Sequence, residues 1–284
     1  MKKNYSKGVS IAIIALIYGI ATAAGVLVFD AISDSLHEIW SLLAADVVAT
    51  VIVWGFGLVY ENVSVYDPYW SVAPPVMFTL WAVKTGSVAF PAILLLIAVW
   101  SWGIRLTGNW AGTFKGLGHE DWRYTRYRNS QSPLLFHITN FFGLNMMPTL
   151  LVFACMLPGF ALFNGTAGGA DILTWAGFLI CMMSAGIQLV SDTQIHRFRD
   201  NNPGQFCNVG LWKHGRHPNY FGEIMFWWGI WVMYASQNGI DALLLAPVAM
   251  TSLFLFISIP MMEKRQLENK PGYAEYRKRT RILI

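Results

Sequence analysis

Charge is scarce in this sequence. Asp, Glu, Lys and Arg make up 13% of the 284 residues, about half the share found in an ordinary soluble domain. What positive charge there is lies scattered over short polar segments, which excludes the continuous basic face that nucleic acid demands. Cysteine is scarcer still. Cys155 and Cys181 lie inside apolar runs and Cys207 in a basic loop, without the paired spacing that builds a zinc site or a disulfide framework. His119, Glu120 and Asp121 are adjacent, and neighbours on a chain rarely converge on one ion, so no metal is expected. No internal repeat, low-complexity tract or linker divides the chain, and it reads as a single membrane domain over 1–284.

What is abundant is apolar surface. Hydrophobic residues make up 55% of the chain, more than a soluble fold of this length can hide, whereas a helix of about 20 apolar residues crosses a bilayer. Runs of that kind fall at about 9–29, 40–60, 70–84, 88–107, 134–162, 171–194, 220–236 and 241–261. The run 9–29 exceeds the ~7–15 residues of a signal-peptide core and reads as a retained span. The run 70–84 is short and carries Pro74 and Pro75, which predicts a broken helix packed against protein. The expected fold is therefore all-α, a polytopic bundle of about eight spans, or seven if 70–84 does not cross.

An even count satisfies the positive-inside rule. It places Lys2, Lys3 and Lys7, the loops 108–133 and 195–219 and the basic tail from Lys264 to Arg281 on one side, with both termini cytoplasmic. The acidic loop 30–39, the turn at Lys84, the glycine-rich 164–170 and the short 237–240 then face outward. Most tryptophans, Trp40, Trp54 and Trp122 among them, fall near span ends, where interfacial anchoring accounts for them.

The most informative stretch runs from Gly210 to Met225. Pro218 suits the first turn of a helix, and that N-terminus, with Arg216 and His217 beside it, forms an anion cradle fit for a pyrophosphate. Asn219 and Glu223, four residues apart, share a face below the headgroups, where an ionisable side chain is by default functional. Gln188, Asp192 and Arg199 fall at i, i+4 and i+11, near-multiples of the helical period, and line one face of the sixth run.

The run Asn219, Tyr220, Phe221, Gly222, Glu223, Ile224, Met225, preceded by Arg216, His217 and Pro218, resembles the signature of the steroid 5-alpha-reductase superfamily and in particular its bacterial branch. The resemblance extends to Asp67–Trp70, to the Arg105–Arg126 region, to Ser191 and Asp192, and to Glu263, Tyr273 and Tyr276. It implies a bacterial inner-membrane reductase that uses NADPH to reduce a carbon–carbon double bond conjugated to a carbonyl, in a lipophilic substrate taken from the bilayer. The cofactor would occupy roughly 185–284, with Gln188, Asp192, Arg199, Asn208, Arg216 and His217 as contacts and Asn219, Tyr220 and Glu223 at the nicotinamide end. Arg199 and Arg216 would hold its phosphates. The reaction also needs an acid at the carbonyl oxygen. Asp67, flanked by Tyr66 and Tyr69, is the expected group, alongside Glu223. Where the family carries a tyrosine, three residues before Arg105, this chain has Trp102, which donates a hydrogen bond but delivers no proton. The loop Gly116–Arg128 is expected either to cover the cofactor or to sit at the interface.

Two rival readings stand beside this one. Membrane methyltransferases that use S-adenosylmethionine share the Arg-His-Pro-x-Tyr-x-Gly pattern and a tail with a glutamate and spaced tyrosines, met here by Arg216–Gly222, Glu263 and Tyr276. Asn219 with Glu223, and the Gln188, Asp192, Arg199 face, favour the reductase. A transporter or non-catalytic membrane protein would more often show matching halves and midplane charges.

Overall fold

The computed structural model describes residues 5–86, 89–164 and 169–284. Lys2, Lys3 and most of the glycine-rich 164–170 segment lie outside the described residues. Those described form helices and turns, with one isolated parallel β-bridge between Gly215 and Arg281.

The helix starts follow local chemistry. α1 (Lys7–Ile32) begins where Ser6 Oγ accepts from the Val9 N–H, α5 (Trp122–Ser130) where Asp121 caps Arg123, and α8 (Ile172–Asn201) where Asp171 accepts from Thr174 at 2.7 Å. Each side chain satisfies an N–H that the first turn leaves open. α6 (Pro133–Ile138) and α9 (Pro218–Asn238) carry proline in their first turn, where its missing N–H costs nothing. α2 (Glu38–Val59), α3 (Tyr69–Thr85), α4 (Phe90–Thr113), α7 (Met147–Ala161), α10 (Leu245–Leu253), α11 (Ile259–Asn269) and α12 (Tyr273–Arg279) complete the set.

Among the described residues, six stretches are long and apolar enough to cross a membrane: Lys7–Ile32, Glu38–Val59, Phe90–Thr113, Pro133–Ala161, Ile172–Asn201 and Ala242–Asn269. The other two expected spans are helices as well, but α3 has only 17 residues, and the indoles, phenols and polar groups of α9 lower its mean hydropathy. α3 keeps Pro74 and Pro75 inside a single helix. Burial in α1 runs opposite to that of a soluble amphipathic helix: Leu16 and Leu27 are 66% and 70% exposed while Ser10 is fully buried. Leucines on the exposed face, with Ser10, Ala21 and Gly25 buried among Ile14, Ile17, Tyr18 and Phe29, suit a helix whose solvent is lipid.

Two of the long stretches contain π-helical turns, Thr139–Met146 between α6 and α7 and Phe254–Ser258 between α10 and α11. Such widened turns are rare and recur near functional sites. In the first, Asn145 Nδ2 donates to the Asn140 carbonyl at 2.7 Å and to its side-chain oxygen at 2.9 Å, and so stabilises the wider turn.

The chain forms two compact units. The first comprises 1–76 and 106–153, the second 77–105 and 154–284, so the boundaries fall inside α3, α4 and α7. In the first unit Ile14, Ile17, Tyr18 and Ala21 of α1 pack with Ala49 and Val53 of α2 and with Tyr66, Tyr69, Phe114 and Leu117. The second is built on the close pairing of α8 with α9. A Cβ at Gly222 would lie 2.8 Å from the Ser184 carbonyl, and one at Gly229 2.9 Å from that of Gly177. Glycine lets these backbones touch, and that approach brings the polar side chains of the two helices together.

Candidate functional site

Gln188 and Asp192 of the face expected on α8, without Arg199, meet Asn219 and Glu223 of α9 in the second unit, and Glu223 is the centre of the group. This side chain, buried on α9, accepts hydrogen bonds from three donors. Trp102 Nε1 and Gln188 Nε2 each lie 3.0 Å from Oε2, and Trp227 Nε1 lies 3.0 Å from Oε1. Arg105 Nη2 donates to Gln188 Oε1 and stands 3.9 Å from Glu223 Oε2. Its Nη1 pairs with Asp192 Oδ2 at 3.0 Å, and Asn219 Nδ2 donates to Asp192 Oδ1 at 3.3 Å. Gln188, Asp192, Asn219 and Glu223 thus form one buried network threaded by Arg105. Every bond in it supports the others, because an unpaired polar group in this environment is costly.

Three members of the network were not singled out as site residues from sequence. Trp227 is four residues past Glu223 on α9, so the helical period alone placed it on the same face. Trp102 and Arg105 share a face of α4 at i and i+3, but nothing in a single sequence shows which other helix that face meets.

The remaining expected cofactor residues lie elsewhere in the unit. Arg199 and Asn208 are exposed and Tyr220 is half-buried. Arg216 and His217 are buried against the C-terminal segment. Arg216 Nε pairs with Glu263 Oε1 at 2.6 Å, and its Nη1 donates to the Arg277 carbonyl at 2.8 Å and to that of Thr280. The Arg216 and His217 backbone N–H groups donate to the Arg281 and Ile282 carbonyls at 2.9 and 3.1 Å. His217 Nε2 lies 3.4 Å from Glu263 Oε1 and its ring stacks on Tyr220, while Arg277 Nε reaches Glu263 Oε2 at 2.9 Å. Tyr276 donates to the Trp212 carbonyl. The donors that sequence assigns to an anion therefore hold the chain's own tail.

In the first unit, Tyr66, Asp67 and Tyr69 are neighbours in sequence with three separate partners. Tyr66 and Thr50 meet Thr149 Oγ1 at 2.7 and 2.9 Å. Asp67 accepts from the Tyr124 hydroxyl and lies 3.7 Å from Arg123 Nη2. Burial pushes the Asp67 carboxyl up to about 6, against the opposing pull of Arg123 and the Tyr124 hydrogen bond. Tyr69 donates to Asp46 Oδ1 at 2.7 Å. Asp46, buried in α2, is a further acid that sequence reasoning passed over; the signal was a lone carboxylate inside an apolar run.

The Gly116–Arg128 segment is pinned within this unit. Asn62 donates to the Leu117 and His119 carbonyls at 2.8 and 3.1 Å, and Glu120 accepts from the Val63 N–H and from Arg128, at 2.9 and 2.8 Å.

Among the described residues, an all-helical fold with six apolar stretches of spanning length and a buried ionic network at a helix pair has the make-up of a polytopic membrane protein. A family model described as "Protein of unknown function (DUF1295)" matches residues 53–280, and the chain belongs to that family. It is also similar to an uncharacterised protein of the fission yeast Schizosaccharomyces pombe. The two are 21% identical over 253 residues, which cover 79% of this chain and 73% of the yeast protein. No solved structure matches.

Proposed function

We propose that this chain is a membrane-embedded reductase of the steroid 5-alpha-reductase type, transferring a hydride from NADPH to a conjugated carbon–carbon double bond of a lipophilic substrate. It would lie in a bacterial cytoplasmic membrane with eight spans, counting α3 and α9, and with both termini and the cofactor on the cytoplasmic side. The observation that carries this reading is the gathering of Gln188, Asp192, Asn219 and Glu223 around Arg105. That network fixes donors and acceptors in a dry environment, where they act on developing charge without reorganising.

NADPH would supply the hydride. Exposed Arg199, on the same helix as Gln188 and Asp192, is the cation left to meet its phosphates, since Arg216 is held by Glu263. For the proton donor that the carbonyl oxygen requires, the sequence offers Asp67, Tyr66 and Tyr69.

One observation favours a second reading. Arg216, His217, Glu263 and Tyr276 are drawn together, and these are the residues shared with membrane methyltransferases that use S-adenosylmethionine. Binding to detergent-purified protein separates the two. We expect NADPH to bind, about tenfold more weakly after Arg199→Ala, the scale of one lost charge-assisted phosphate contact. Tight S-adenosylmethionine binding without nicotinamide binding would reverse the assignment, and solute flux in proteoliposomes would replace both with a transporter.

A further inference from the structure

The tail builds a surface separate from the network around Glu223. Between Lys264 and Arg281 the sequence carries seven Lys and Arg against two acids, Glu268 and Glu275. Glu263 is buried, and its oxygens are taken by Arg216 and Arg277. Glu275 is met by Lys278 at 2.9 Å. Lys213, Lys264, Arg279 and Arg281 are exposed and form no ion pair among the described residues.

The contacts of the segment before α9 fix the level of this surface. Trp212 Nε1 donates to the Ser191 carbonyl and the Leu211 N–H to Gln194 Oε1, each at 2.9 Å. That segment therefore lies beside the turn of α8 where the first charge, Asp192, ends an apolar run. The tail is tied to the same segment by the bridge from Gly215 to Arg281, so closely that a Cβ at Gly215 would lie 2.9 Å from the Ile284 nitrogen. The stretch Ala242–Asn269 arrives at this end too, and its charges begin only at Glu263. The cations thus sit level with the ends of two apolar stretches of spanning length.

A second feature separates this surface from an ordinary solvated loop. Val209, Leu267, Ile282 and Ile284 belong to the same segments and are between 41% and 47% exposed. Water satisfies the cations and leaves these alkyl groups uncovered. A bilayer interface satisfies both, because phosphates meet Lys and Arg while the alkyl groups enter the acyl boundary. Cations clustered directly after a spanning helix are the pattern that recruits acidic lipid, each contributing about 1 kcal/mol near a negative surface.

We propose that the tail, with the segment 209–214, is a seat for anionic phospholipid headgroups of the adjoining leaflet. The seat is independent of which cofactor the chain uses. The test places the full chain in phosphatidylcholine nanodiscs with a bimane fluorophore on Ile282→Cys; the three native cysteines are buried and leave the label to the new thiol. A small fraction of the lipid is then replaced by phosphatidylglycerol or phosphatidylcholine carrying a nitroxide quencher on its acyl chain. The glycerol lipid is expected to quench equally at about one-fifth the mole fraction, the scale of one cation at a lipid phosphate. Lys278→Gln, Arg279→Gln and Arg281→Gln together should erase that preference. Should the labelled protein fail to fold, unlabelled wild type washed in detergent should retain phosphatidylglycerol over phosphatidylcholine from an equal mixture, as read by mass spectrometry. Equal quenching, equal retention, or a preference that survives the three substitutions overturns the seat. Loss of the preference to millimolar inorganic phosphate makes it a soluble-anion site instead, and loss to polyglutamate makes it a protein-docking face; either result overturns the lipid.

Discussion

Trp102 and Glu223 are separated by 121 residues and joined by a single hydrogen bond of 3.0 Å between an indole N–H and a carboxylate oxygen. The indole also stacks on Phe226 with ring centroids 4.9 Å apart and meets Trp227 edge-on at 5.4 Å. Its position is thus fixed from two sides of α9. Where the resembling reductases carry a phenol, this chain has a donor with no proton to give, and that donor holds a carboxylate in place.

The close contact of α8 with α9 predicts a sharp contrast between glycines. A Cβ at Gly222 would meet Gln188 Cγ at 2.5 Å as well as the Ser184 carbonyl, whereas one at Gly186, also on α8, meets nothing within 4 Å. Gly222→Ala should destabilise the protein by about 2 kcal/mol, in the range of overpacked cores. Gly186→Ala should leave it unchanged or gain a few tenths of a kcal/mol through helix propensity. Thermal melting of the detergent-solubilised variants measures both.

Asp67 gives stability a pH dependence of definite sign. Its carboxyl titrates near 6 in the fold against about 3.9 in an unfolded chain. Between these values the folded state holds the proton more tightly, so stability falls as pH rises from about 4 to about 6, by about 3 kcal/mol, and then levels off. Asp67→Asn, which keeps an acceptor for Tyr124, should flatten that slope. Melting temperatures of both proteins across this pH range supply the check.

The contact of Arg216 with the tail depends on guanidinium geometry. Nε bonds Glu263 while Nη1 reaches two main-chain carbonyls, a fork that an ammonium cannot reproduce. Arg216→Lys should cost about 3 kcal/mol, as breaking a buried pair does. It should also open Arg277, Lys278 and Arg279 to trypsin. Limited proteolysis followed by mass measurement would show cleavage there in the variant well before the wild type.

Much of this architecture was legible in the sequence. The six long apolar stretches and the polar face of Gln188, Asp192, Asn219 and Glu223 follow from run length and from a 3.6-residue period, which are local properties. Arg105, Trp102 and Asp46 were less legible, because their roles depend on which helix they meet. Arg216 and His217 illustrate the same limit. A cationic, donor-rich helix start reads as an anion cradle until the residues near 280 are placed against it. Trp227 is the exception, available from the same arithmetic that placed Asn219 beside Glu223.

The single bridge between Gly215 and Arg281 bears on how the chain is made. The Arg216 guanidinium finds its last partner 64 residues later, at Thr280. At a synthesis rate of about 5–20 residues per second, several seconds separate the two in translation. Through that interval α8 and α9 can pair while the start of α9 stays open, its Arg216 guanidinium still without Glu263 and the carbonyls of Arg277 and Thr280. This edge therefore closes only after the α8–α9 contact can form.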